Sequence, residues 1–102
     1  MKRQLFRAAI LVLVVALSLS CLAHLSRAKR YYAEGQDQAR AFQTERAIAY
    51  WKKALDEAGR ECRRKPSAQA FTVKGLAETN LGLWREAAAS FLKAFSLGFD
   101  GG

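Results

Sequence analysis

With 102 residues, part of them in an apolar N-terminal stretch, the chain has room for one small helical domain and no more. Its net charge of +8 suits a surface near anionic lipid or an acidic partner, and the scatter of its basic residues outside one cluster speaks against nucleic acid. The two cysteines and single histidine form no metal or redox spacing, so neither a metal site nor a cofactor is expected.

The N-terminal tip, MKRQLFR, is basic, and residues 8–23 that follow carry no charge. This is the layout of an export signal, retained as an anchor or removed. Sixteen helical residues rise about 24 Å, and Leu5, Phe6 and Leu25 extend the run toward the thickness of a bilayer core. Residues 1–25 are therefore predicted to be a signal-anchor or transmembrane helix. Cleavage near Ala23, giving a secreted or periplasmic protein, and lipidation at Cys21 remain alternatives. Lys2, Arg3 and Arg7 precede the run and Arg27, Lys29 and Arg30 follow it, so the charge rule favours neither orientation. A short N-terminal tail usually stays inside, which places residues 26–98 on the extracytoplasmic side of the inner membrane. With the three N-terminal charges set aside, 14 basic residues stand against 9 acidic from Ser26 onward, a net +5.

The strongest signal is self-similarity at a period of 40. Tyr31 matches Phe71, Gly35 matches Gly75, Ala47 matches Ala87, Trp51 matches Phe91, and Lys53-Ala54 matches Lys93-Ala94. Within each unit, alanine, aromatic and alanine recur at i, i+4 and i+7, one helix face. The small residues let a neighbouring helix approach and the aromatic fills the gap, so Trp51 is expected in the core, and Trp84 likewise. The predicted helices run from about Arg3 to Ala41, Thr44 to Ala58, Ser67 to Leu81 and Leu83 to Leu97. Ser67 reads as an N-cap and Gly98 as a stop. The stretch Gly59–Pro66 is read as a loop, stopped at Gly59 and broken at Pro66, and residues 99–102 as a frayed tail.

The second unit resembles a tetratricopeptide repeat. Phe71, Gly75, Ala77, Gly82, Trp84, Ala87, Phe91 and Ala94 occupy that family's characteristic positions, although Lys74 and Phe99 stand where the family usually has Leu and Pro. The first unit matches at Tyr31, Gly35, Ala47, Trp51, Ala54 and Leu55, but Phe42 and Thr44 occupy the turn where the family prefers glycine and an aromatic. The resemblance implies an all-α chain of two antiparallel helix hairpins, a short α-solenoid behind the membrane helix; a generic helix bundle is the alternative. It also implies a non-catalytic adaptor or scaffold that binds other proteins. By position, its peptide groove would present Lys29, Tyr32, Gln36, Ala39 and Arg40 from the first unit and Gln69, Thr72, Leu76, Thr79 and Asn80 from the second.

Two hairpins are fewer than such arrays need to cover their own flanks. Phe95, Leu97 and Phe99 extend the last helix's apolar surface and read as a docking flank, for a membrane complex, another protein or a second copy, or else as packing onto the first hairpin. Arg60, Arg63, Arg64 and Lys65 form a basic patch suited to anionic lipid or an acidic partner, or left in solvent. No enzyme is expected: the acids lie beside basic residues, and no phosphate loop or nucleophile elbow is present. The alternative to an adaptor is a small accessory subunit of a larger membrane complex, with Ser18, Ser20, Cys21 and Ala23 suited to close helix packing.

Overall fold

The computed structural model describes residues 24–98, and all of its regular structure there is α-helical. Helix α1 covers residues 24–40 of that span; α2 is Thr44–Arg64, α3 Ala68–Asn80 and α4 Trp84–Ser96. Consecutive helices run antiparallel as two hairpins, with α3 packed against both α2 and α4. No helix among the described residues is long and apolar enough to cross a membrane. The predicted membrane segment, residues 1–25, lies outside the described residues except for His24 and Leu25, and so does Phe99.

The interior is built almost wholly of small side chains. Ala28, Ala47, Ala54, Ala58, Ala70, Ala77, Ala87 and Ala94 are buried, with Val73 and Cys62 the larger members. Alanine at the contact positions lets helix axes close up, and it is also the strongest helix former, so packing and propensity agree. Each hairpin is locked by an aromatic ring lying over a glycine. A Cβ on Gly35 would overlap the Trp51 indole, and one on Gly75 would sit 2.8 Å from Phe91. Both pairs are separated by the same 16 residues, so the period of 40 read in the sequence is a period of the structure.

The hairpin turns repeat as closely. In the first, Phe42 N–H donates to the Ala39 carbonyl at 3.0 Å and Gln43 N–H to Gln38 at 2.8 Å. In the second, Gly82 N–H donates to Thr79 at 3.1 Å and Leu83 N–H to Glu78 at 2.8 Å. This paired pattern caps a helix C-terminus through one residue in the left-handed region. Gly82 takes that place at φ 76°, where a glycine costs nothing. Phe42 takes it at φ 60°, where a side chain is strained.

Two expectations are corrected. Gly59 does not stop α2, which continues to Arg64 and ends only at Lys65, before Pro66. Pro66 disfavours helical geometry at the residue before it, whereas a single interior glycine is a cost of about 1 kcal/mol that tertiary packing overrides. The residues beyond the usual repeat length are thus two more turns of helix, and Arg60, Arg63 and Arg64 lie on α2 rather than in a loop. Trp84 is also not core: it is 67% exposed, whereas Trp51 is half-buried over Gly35. The N-cap holds, with the Ser67 hydroxyl accepting from Ala70 N–H at 3.1 Å, and Gly98 at φ 93° follows the end of α4.

Candidate interaction surfaces

The residues predicted to line a groove come together on α1 and α3, which lie side by side. Lys29 donates to Gln69 at 3.3 Å, Asn80 to Gln36 at 3.1 Å, and Gln36 in turn to Tyr32 at 3.2 Å. These contacts make the surface polar and ordered, but they also engage groups that a ligand would need. The hydroxyls of Thr72 and Thr79 are turned inward to the carbonyls of Ala68 and Gly75. Arg40 stands at the far end in an exposed pair with Asp37. Leu76 and Ala39 are half-buried.

A groove of about 330 Å³ opens next to that surface, lined by Ile48, Lys52 and Leu55 of α2 and by Asn80, Leu81 and Leu83 at the turn between α3 and α4. Apart from Asn80, sequence reasoning missed these residues. The signal was there: Ile48, Lys52 and Leu55 fall at i, i+4 and i+7, a second stripe on α2 beside the buried alanines.

Forty residues on, the same stripe is Ala88, Leu92 and Phe95 of α4. In the first hairpin the turn that follows covers part of it. In the second nothing among the described residues does: Leu92 is 71% exposed, Phe95 75% and Trp84 67%, with Leu97 and Phe91 near 40%. The predicted flank is therefore apolar and open at Phe95 and Leu97, and it extends to Leu92 and Trp84. Phe42, 91% exposed, stands at the end of the domain that also carries Leu83 and Trp84.

The basic patch lies at the opposite end. Arg60, Arg63, Arg64 and Lys65 are all exposed, and among the described residues only Arg60 is in an ion pair, with Asp56 at 3.2 Å. Beside them the start of α1 is fastened to α2 by His24 Nδ1, 2.5 Å from Glu57 Oε2, and by Arg27, 3.7 Å from the same oxygen. Burial pushes the Glu57 carboxyl up, but the hydrogen bond from His24, with the charges of Arg27, His24 and Arg60, outweighs it and holds the group below its ordinary range. On the neighbouring face Tyr31 packs near Tyr50, ring centroids 6.4 Å apart, with Lys53 within 6 Å of both rings.

One polar cluster was not anticipated. The Ser90 hydroxyl donates to Glu78 Oε1 at 2.5 Å, while Lys74 reaches Glu78 Oε2 at 3.1 Å and Ser90 at 3.2 Å. Ser90 is 2% exposed and Glu78 3%. The trio ties α3 to α4. Its sequence signal was Lys74 at a position the repeat pattern reserves for an apolar residue. Cys62 is buried nearby, and that burial pushes its thiol up. Among the described residues no group of three or more His, Cys, Asp or Glu is placed to hold a metal ion.

No family model matches the chain, and neither the curated proteins nor the solved structures contain a significant match to it.

Proposed function

We propose that the protein is a non-catalytic, membrane-anchored protein–protein interaction module of tetratricopeptide-like hairpins, held on the extracytoplasmic side of the inner membrane by its N-terminal apolar segment. The observation that carries this reading is the open stripe of α4. A helical repeat buries its outer stripe against the element that follows it, and here Ala88, Leu92 and Phe95 have no such element among the described residues. A partner helix with small residues on one face, as α3 presents Ala70, Val73 and Ala77 to its neighbours, is the chemistry that fits. Leu92 and Phe95 point outward, so removing them leaves the fold intact and removes the surface.

The test is affinity purification of the full chain from native membranes in mild detergent, wild type beside the double variant Leu92→Ser/Phe95→Ser. The expected result is a protein partner retained by wild type and lost by the variant, at unchanged thermal stability. A wild-type chain that emerges as a monodisperse monomer, or a variant that keeps the same partner, overturns the reading. A partner present in fixed stoichiometry as part of one large assembly favours the accessory-subunit form, in which the same stripe is a permanent contact.

A further inference from the structure

We propose that the end of the domain bearing Arg60, Arg63, Arg64 and Lys65 is a binding surface for anionic phospholipid headgroups, which stands the hairpins end-on against the membrane. The inference rests on the anchored reading above and adds to it a lipid class, a set of residues and an orientation.

Three observations carry it. The first is position. His24, where the chain enters the described structure from its uncharged run, is pinned to Glu57. Beyond Glu57, α2 continues seven residues to Arg64, about 10 Å of rise, toward the side from which the chain arrives. The final turns of α2 therefore project past His24, at the end of the domain where residue 23 joins it. Had α2 stopped at Gly59, as its sequence suggested, these side chains would not reach so far.

The second is charge. Among the described residues Arg63, Arg64 and Lys65 have no ion-pair partner, and each is exposed. The acids of this end are already occupied or enclosed: Glu57 by His24 and Arg27, Asp56 by Arg60, and Glu61 by burial. At the other end Asp37, Glu45 and Glu86 stand against Arg40, Arg46 and Arg85 and cancel. The domain's excess positive charge is thus concentrated where the apolar segment attaches, the side on which a juxtamembrane basic cluster meets an anionic leaflet.

The third is number. A helix C-terminus gains from one or two cations in its last turn. Three consecutive basic residues, with a fourth one turn earlier that Asp56 already pairs, exceed that need, and their like charges favour an anion nearby. The long aliphatic stems of Arg and Lys allow the charges to meet headgroups while α2 stays above them.

The test uses the full chain reconstituted into vesicles of phosphatidylcholine alone, or with about 30% phosphatidylglycerol. Flotation after a high-salt wash reads the anchor. The rate of tryptic cleavage after Arg63 and Arg64, divided by that after Arg85 in the same molecules, reads the headgroup contact. The expected result is flotation with both lipids and a cleavage ratio that falls on the order of tenfold with phosphatidylglycerol, recovering at about 1 M salt, where charges are screened beyond about 3 Å. Amide exchange across residues 58–66 is the second readout: phosphatidylglycerol slows it in wild type and not in the variant Arg60→Gln/Arg63→Gln/Arg64→Gln/Lys65→Gln. A chain that floats with both lipids but shows the same ratio and the same exchange in each overturns the headgroup surface and leaves the anchor standing. Flotation with phosphatidylglycerol alone before the salt wash, lost on washing, overturns the anchor and keeps the surface. Flotation with neither lipid even before the wash overturns both.

Discussion

Replacing Phe42 with glycine is expected to stabilise the protein, against the usual cost of putting glycine for a large residue. Phe42 sits at φ 60° and is 91% exposed, so its ring contributes almost no burial to the folded state. An L-residue in the left-handed region costs about 1–2 kcal/mol, which glycine avoids. Glycine returns about 0.5–1 kcal/mol through the greater freedom of its unfolded chain. The net gain is about 1 kcal/mol, or about 4–8 °C in Tm for a domain of this size. The second turn is the built-in control. Gly82 has φ 76° and no atom within 4 Å of where a Cβ would lie, so Gly82→Ala adds strain without a clash and costs about 1 kcal/mol. The assay is equilibrium urea unfolding of the full chain in mild detergent, followed by far-UV circular dichroism, with the slope required to stay constant. A Phe42→Gly midpoint at or below wild type, together with a harmless Gly82→Ala, would show that the two turns do not bear the strain their backbones imply.

Other outcomes follow from the same geometry. Gly59→Ala should raise stability by about 0.5–1 kcal/mol, because the added methyl meets only the end of Arg63 at 3.5 Å inside a continuous helix; a lower urea midpoint refutes the unbroken α2. Gly75→Ala should lower it by about 1–3 kcal/mol, since Phe91 must move out of a contact of 2.8 Å. Glu57 has its carboxyl held down in the folded state, so its contribution is present above the ordinary carboxylate range and is lost as pH falls through the lower folded value. Unfolding midpoints measured from pH 6 to about pH 3 should therefore fall more steeply for wild type than for Glu57→Gln, and parallel curves would count against the ion pair. Cys62, buried and with its thiol pushed up, should resist a thiol reagent at neutral pH until denaturant is added, measured in a Cys21→Ser background.

The architecture was legible because its determinants are local. The 40-residue spacing of Gly35 with Gly75 and of Trp51 with Phe91 encodes the ring-over-glycine contact directly, and Ser67 and Gly98 mark helix ends by their own backbone chemistry. What escaped was decided by contacts between distant residues. Gly59 reads as a stop in isolation, but the buried face of α2 carries the helix through it. Trp84 fits the repeat pattern, yet its ring is 67% exposed, with no later helix among the described residues packed on it. The apolar groove joins α2 to a turn about 30 residues away, and only the Ile48, Lys52 and Leu55 half of it was visible as a pattern.

An interface lined by alanine is smooth. Methyl groups offer few knobs, so along the alanine stretches packing resists a one-turn slide chiefly at the ring-over-glycine contact. The trio of Lys74, Glu78 and Ser90 acts against that slippage as a detent. A shift of α4 along α3 would strip the enclosed carboxylate of its hydroxyl donor, a loss of about 1–3 kcal/mol with no water to replace it. The second hairpin thus gets its register from these buried polar contacts together with the Phe91 ring seated on Gly75. That frees the outer side of α4 to carry large apolar residues that its own fold does not use.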